Sequence, residues 1–114
     1  MVKILEKIIE GVAVCKIEGK LSGFEDKGVV QNKIRDLLSK DVKNVVLDLS
    51  KVNWIDSTGL GELIASLSSM KKEDGHMVLA NIQGPVRSLL KMTNLNQIFE
   101  IFEDVDEALS NLKA

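Results

Sequence analysis

The stretch "VNWIDSTGLGELIASL", residues 52–67, changes character at its centre. An apolar approach runs into the polar turn "DSTG" at residues 56–59, and a run with helical spacing follows. Glycines at positions 59 and 61 leave the hydroxyls of Ser57 and Thr58 poorly covered by neighbouring side chains. A turn that only joined two elements would need one polar residue, so the pattern indicates a surface that another molecule reaches.

The length and composition predict one globular domain. The chain has 114 residues, of which 45% are hydrophobic, enough for one core and too few for two ordinary domains. The 15 basic and 17 acidic residues nearly balance, and no basic block would attract phosphate backbones or anionic lipid. We therefore expect residues 1–114 to form a single domain with neither a nucleic-acid nor a membrane partner.

The cysteine usage and the N-terminus favour the cytoplasm. Cys15 is the only cysteine and stands in the apolar run "VAVCKI", so we expect it to be a small buried side chain in a reducing compartment. Charges interrupt the N-terminal "MVKILEKIIEG", which excludes a signal-peptide apolar region, and no later apolar run reaches membrane-spanning length.

The pattern predicts a β-hairpin at the N-terminus and a buried strand further on. Residues from Lys3 to Ile9 and from Val12 to Ile17 are rich in Ile and Val, and Glu10-Gly11 between them supplies a turn. "NVVLDL", from Asn44 to Leu49, is a short and nearly continuous apolar run. Such a run is typical of a central parallel strand that helices cover on both faces.

Two helices are predicted around that strand. "SGFE" matches the capping-box pattern, in which Ser22 and Glu25 satisfy each other's backbone amides, and apolar spacing then extends a first helix from Phe24 to Ser39. The second helix follows the turn at Asp56. Its predicted apolar stripe is Leu60, Leu63, Ile64 and Leu67, with Ser66, Ser68 and Ser69 away from the heart of the stripe.

The last third continues the alternation of strands and helices. "HMVLA" predicts a strand, Pro85 fits the first turn of a short third helix, and Asn94 fits the left-handed position that closes it. "IFEIF", residues 98–102, is the candidate for the last strand. The terminal helix begins with acidic residues, as the helix dipole favours. Its predicted apolar stripe is Val105, Ala108, Leu109 and Leu112.

This order predicts an α/β fold: a mostly parallel central sheet with an antiparallel N-terminal strand and about four helices. In open sheets of this kind, functional loops lie outside the carboxyl ends of the strands. The turn at residues 56–61 is such a loop, and the turn after the second strand should lie beside it. We expect Trp54 to pack partly under the loop, because no aromatic or basic cluster accompanies it.

Catalytic chemistry is poorly supported, so we expect no enzyme, no metal and no cofactor. His76 is the sole histidine and has no second histidine or cysteine with which to share a metal. Ser57 lacks the G-x-S-x-G context and a recognisable base. The glycines of "STGLG" complete neither a P-loop nor a G-x-G-x-x-G motif.

The residues alone leave two interpretations of Ser57 open. A serine at the start of a helix can be an ordinary N-cap, since Ser is among the favoured capping residues. Alternatively it can be modified, because a phosphate there would meet free amides and the positive end of the helix dipole.

Residues 45–66, "VVLDLSKVNWIDSTGLGELIAS", resemble the signature of bacterial anti-sigma-factor antagonists, the small single-domain members of the STAS fold. The resemblance extends to Gly19-Lys20-Leu21 and to "PVRSLLKMTNLNQIF" at residues 85–99, and so covers nearly the whole chain. It implies that Ser57 is phosphorylated by a partner kinase that is also the anti-sigma factor. It further implies that the unphosphorylated form binds this kinase and that a serine phosphatase restores that form.

The resemblance also implies a partner-binding surface built from the two turns. Its residues are Leu21, Ser22, Gly23, Asp56, Ser57, Thr58, Gly59, Leu60 and Gly61. This chain departs from the family pattern at two places: Ser22 stands where many antagonists have aspartate, and Asn94 where glycine is common. The alternative is a STAS regulatory or scaffold subunit of a partner-switching circuit without a sigma factor, or of a transporter system.

Overall fold

A computed structural model of the chain describes residues 2–22 and 27–112. It contains five strands: β1 (Lys3–Ile9), β2 (Val12–Glu18), β3 (Asn44–Lys51), β4 (His76–Ala80) and β5 (Ile101–Phe102). The helices of the described residues are α1 (Val29–Ser39), α2 (Ser57–Lys72), α3 (Gly84–Met92) and α4 (Val105–Leu112), with one turn of 3-10 helix at Leu95–Gln97.

The strands form one sheet in the order β1-β2-β3-β4-β5. Only β1 is antiparallel to its neighbour, and β2, β3, β4 and β5 run parallel. The central strand β3 is buried from Val45 to Leu49, as its continuous apolar run predicts. The α/β prediction, with a mostly parallel sheet and an antiparallel N-terminal strand, is confirmed.

The β1–β2 hairpin turns at Glu10 and Gly11, which both adopt positive φ angles, 49° and 82°. Positive φ at both central residues is the conformation that matches the twist of a two-residue hairpin, and glycine adopts it without a steric penalty. The turn brings Ile9 opposite Val12 and Lys3 opposite Glu18. The hairpin prediction is therefore confirmed.

The two faces of the sheet are covered unequally. One face carries the larger core, in which Ile17, Leu47 and Leu79 pack under α1, α2 and α3. The opposite face carries a smaller core, in which Val46 and Val78 pack against Ala108 of α4. Cys15 lies in the larger core and is completely buried, as predicted.

The start of α1 differs from the prediction. The helix begins at Val29, and its N-cap is Gly28, which has a left-handed backbone with φ 85°. Ser22 is therefore not the cap of this helix, and the predicted start at Phe24 and the partner Glu25 lie outside the described residues. The amides at the start of α1 find their acceptor on another helix, as described below.

Two further predictions need correction. Ser66 is completely buried, whereas Ile64, predicted on the apolar stripe, is 39% exposed. The buried face of α2 is therefore rotated away from Ile64 and toward Ser66, relative to the predicted stripe. The predicted strand at residues 98–102 is shortened to Ile101–Phe102, and Phe99 is buried just before it.

The other predictions for the last third of the chain are confirmed. Pro85 lies in the first turn of α3, and Asn94 adopts the left-handed conformation after its end, with φ 60°. Leu95 folds back and is buried, which is the hydrophobic contact that such a cap favours. Ala108 and Leu109 form the buried stripe of α4, and Asp104 accepts a hydrogen bond from the backbone of Glu107 at its start.

Candidate functional site

The turns after β2 and β3 meet at the carboxyl edge of the sheet. The backbone N–H of Leu21 donates to the carbonyl of Trp54 (2.9 Å), and the N–H of Asp56 donates to the carbonyl of Leu21 (3.2 Å). Leu21 and Ile55 consequently pair as in a parallel ladder beyond the ends of the two strands. The predicted proximity of the two turns is confirmed for the described residues, while Gly23 lies outside them.

Gly59 allows this close contact. A Cβ at Gly59 would overlap the carbonyl oxygen of Leu21 and would lie 2.9 Å from its carbonyl carbon. Because both atoms are backbone, no side-chain rotation could relieve the clash. Gly59 is therefore required by the packing of this chain itself and is buried.

Asp56 is the N-cap of α2. Its backbone is extended, and its carboxylate accepts a hydrogen bond from the N–H of Gly59 at 2.8 Å. Its carbonyl accepts the first intrahelical bond, from Leu60. This geometry answers the question that the sequence left open: the helix is capped by Asp56, and Ser57 is its first residue, so the Ser57 hydroxyl is not needed as a cap.

The exposed part of the turn is small and polar. Ser57, Thr58 and Gly61 are exposed, and Asp56 is half-buried. Leu60 is buried and belongs to the larger core. Gly61 differs from Gly59, because a Cβ added there would meet nothing within 4 Å. No contact within the described structure requires a glycine at position 61.

One face of α2 carries no charge where it meets solvent. The only ionisable residue of α2 before Lys71 is Glu62, and it is buried. We call the exposed row Ser57, Gly61, Ile64 and Ser68 the α2 seam. Its spacing of four, three and four residues places these positions along one line of the helix. Trp54, which precedes the helix, is 54% exposed, so more of its surface meets solvent than is covered. Its expected packing under the loop stays a prediction.

The sequence analysis missed the role of Glu62. Its carboxylate accepts hydrogen bonds from the backbone N–H groups of Val30 (2.6 Å), Gly28 (3.2 Å) and Gln31 (3.3 Å). Glu62 of α2 thus caps the start of α1, which its own N-cap glycine cannot do. The available signal was a single acid inside the otherwise uncharged run "GLGELIAS".

The family-model comparison matches residues 3–108 to the STAS domain. The chain belongs to the STAS domain family. An anti-sigma F factor antagonist of Paenibacillus polymyxa is 25% identical over 103 residues, which cover 90% of this chain and 88% of that protein. A Thermotoga neapolitana protein provisionally named an anti-sigma factor antagonist is 30% identical over 108 residues, covering 94% and 95%.

A solved structure of an anti-sigma factor antagonist from Mycobacterium paratuberculosis shares the fold. It superposes with a TM-score of 0.86 and covers 100% of this chain and 96% of that one, at 23% identity. The two chains therefore share the fold over nearly their whole length.

The described residues contain no cluster of three or more metal-ligating side chains. His76 is exposed at the start of β4, the opposite end of that strand from the site. Among the described helices, none is both long and apolar enough to cross a membrane.

Proposed function

We propose that this STAS domain is an anti-sigma-factor antagonist that acts by partner switching. With Ser57 unphosphorylated, it binds an anti-sigma factor that is also a serine kinase, and the sigma factor is released. Phosphorylation of Ser57 ends that binding, and a serine phosphatase restores it. The observation that carries the proposal is the exposed hydroxyl of Ser57 at the first residue of a helix that Asp56 already caps.

The fold should tolerate a phosphate at Ser57. The first turn of α2 presents backbone N–H groups and the positive end of the helix dipole, which together favour an anion by about 1 kcal/mol. The hydroxyl is exposed, so its modification displaces no core side chain. Phosphorylation would then change what binds to the domain and leave the domain folded.

The partner complex should not tolerate the same phosphate. A dianion at Ser57 would be desolvated in the interface beside the carboxylate of Asp56. An unpaired buried charge costs several kcal/mol, and each ~1.4 kcal/mol is a tenfold loss of affinity. Charge exclusion is therefore sufficient for an on-off switch without any change of fold.

The proposed partner surface has two kinds of residue. Ser57, Thr58 and Gly61 are exposed and would touch the partner directly, with Ser22 at the edge. Leu21, Gly59 and Leu60 are buried, so their part is to hold the turns together. Asp56 does both, and Gly23 completes the proposed set. The uncharged α2 seam extends this surface along the helix.

The proposed activity is binding and not catalysis: the kinase and the phosphatase are the enzymes, and the STAS domain is their substrate. Since sigma factors act on transcription, the switch would operate in the cytoplasm. The STAS domain itself holds neither a cofactor nor a metal in the proposed cycle.

The direct test needs a serine kinase of the anti-sigma type, which is to be sought in the gene neighbourhood of this protein. Incubation of the two with ATP should add one phosphate, mapped by mass spectrometry to Ser57. The unphosphorylated protein should displace the sigma factor from the kinase in a size-exclusion assay, and the phosphorylated protein should not. Binding that is equal in both states, or the absence of phosphorylation, would instead support the regulatory or scaffold alternative.

A further inference from the structure

Two exposed hydroxyls stand side by side at the start of α2, and they face different residues. Four positions after Ser57 is Gly61, where a Cβ would have no described residue within 4 Å. Four positions after Thr58 is Glu62, and residues four apart lie on the same side of a helix. Thr58 and Glu62 line one groove of about 310 Å³ between the starts of α1 and α2. The other lining residues are Lys27, Gly28, Gln31 and Gly61.

Glu62 cannot easily move away from this groove. Only 7% of its surface is exposed, and its carboxylate accepts the N–H groups of Gly28, Val30 and Gln31. These amides belong to the start of α1 and have no acceptor within their own helix. If the carboxylate turned toward solvent, these amides would lose their hydrogen-bond acceptor. The charge of Glu62 is therefore held on the same side of α2 as Thr58.

A phosphate would therefore meet a different environment on each hydroxyl. On Ser57 it would lie over Gly61 and the free amides of the first turn, with no acidic side chain one turn below. On Thr58 the phosphate would lie on the same side of the helix as the carboxylate of Glu62, and it would compete with that carboxylate for the amides of α1. Both positions are close to the positive end of the helix dipole and to Asp56, so neither of these effects distinguishes a phosphate on Ser57 from one on Thr58.

We propose that Glu62 determines which of the two hydroxyls can carry a phosphate: it lets the first turn of α2 accept a negative charge at Ser57 and reject one at Thr58. The inference rests on the proposed function, since it assigns the residue that makes the modification site selective. Lys27 is the one cation among the described residues that line the groove. Its side chain is exposed and hydrated, so it offsets the repulsion only weakly.

The test places a carboxylate at each position and needs no kinase. Thr58→Glu is compared with Thr58→Gln, and Ser57→Glu with Ser57→Gln, by urea unfolding. Acids in a first helical turn normally stabilise, so Ser57→Glu should be at least as stable as Ser57→Gln. Thr58→Glu should instead have a folding constant lower than Thr58→Gln by more than about twofold, the effect of like charges four apart on an exposed helix.

The same pair is then measured in a Glu62→Gln background, where the cost of the carboxylate at position 58 should disappear. Backbone amide spectra give a second readout: Thr58→Glu should shift the signals of Gly28, Val30 and Gln31, and Thr58→Gln should not. This comparison applies even if Glu62→Gln does not fold.

Equal stability of Thr58→Glu and Thr58→Gln with unmoved amides would overturn the inference, as would a charge cost that survives in Glu62→Gln. Because no partner is present in these measurements, they are independent of whether a kinase modifies Ser57.

Discussion

Gly59 lies against the backbone of Leu21, so that a side chain at position 59 would occupy the space of the Leu21 carbonyl. The same carbonyl accepts the N–H of Asp56, which in turn caps α2. One contact between two backbones therefore fixes the turn after β2, the cap and the first helical residue together. The exposed hydroxyl of Ser57 owes its position to this contact.

The two glycines of the turn should respond oppositely to alanine. In Gly59→Ala the new methyl group pushes the start of α2 away from the backbone of Leu21. This variant should lower the free energy of unfolding by at least about 2 kcal/mol. In Gly61→Ala the new methyl group meets no described residue within 4 Å. This variant should raise the free energy of unfolding by up to about 1 kcal/mol, because alanine is the better helix former. Urea unfolding of both variants measures the difference. A Gly59→Ala protein as stable as wild type would show that the two turns are not in close contact.

Removing the cap should weaken the start of α2. Asp56→Ala leaves the N–H of Gly59 without its acceptor and should cost about 1 kcal/mol in thermal or urea unfolding. Asp56→Asn keeps an oxygen acceptor and is the matched control, which should lose clearly less. An equal loss in both variants would mean that charge, and not the hydrogen bond, is what the cap contributes.

The proximity of the two turns follows from the sequence because it depends only on strand order. Turns after parallel strands leave the same edge of the sheet, and the apolar runs of β2 and β3 predict both strands. The capping of α1 by Glu62 does not follow, since it joins residues 32 positions apart whose proximity only the packed structure creates. The same holds for Ser66 and Ile64: how far α2 rotates on the sheet is decided by packing and not by helical spacing alone.

Cys15 should make stability depend on pH above neutrality. Burial raises the pKa of its thiol from 9.0 to about 11. The unfolded chain loses this proton near pH 9 while the folded protein keeps it, so the free energy of unfolding should fall between about pH 9 and pH 11. Cys15→Ala should show a smaller fall over this range, measured by urea unfolding at each pH. Identical slopes in both proteins would mean that the thiol is not protected in the core.

Variants of Ser57 should separate binding from folding. Ser57→Ala removes the acceptor of the phosphate and should bind the anti-sigma kinase while resisting phosphorylation. Ser57→Asp should bind at least about tenfold more weakly, because even one carboxylate is desolvated in the interface. Ser57→Asn has nearly the same shape without the charge and should bind like wild type.

All three Ser57 variants should melt within a few degrees of wild type, since Asp56 and not Ser57 caps the helix. Calorimetry measures the melting, and titration with the kinase measures the binding. Tight binding by Ser57→Asp would contradict charge exclusion, and weak binding by Ser57→Asn would indicate a steric effect.

The α2 seam gives the last prediction, because no described residue comes within 4 Å of a Cβ built at Gly61. Glycine within a helix costs about 1 kcal/mol relative to alanine, and no close approach by residues 2–22 or 27–112 requires it here. A partner that packs closely on the seam would explain its presence. Gly61→Gln should therefore fold at least as stably as wild type and yet bind the anti-sigma kinase at least about tenfold more weakly, since the new side chain fills the contact. Glu73→Gln presents the same side chain at the exposed far end of α2 and should leave binding unchanged. Unaltered binding by Gly61→Gln would confine the interface to the turn itself and remove the seam from it.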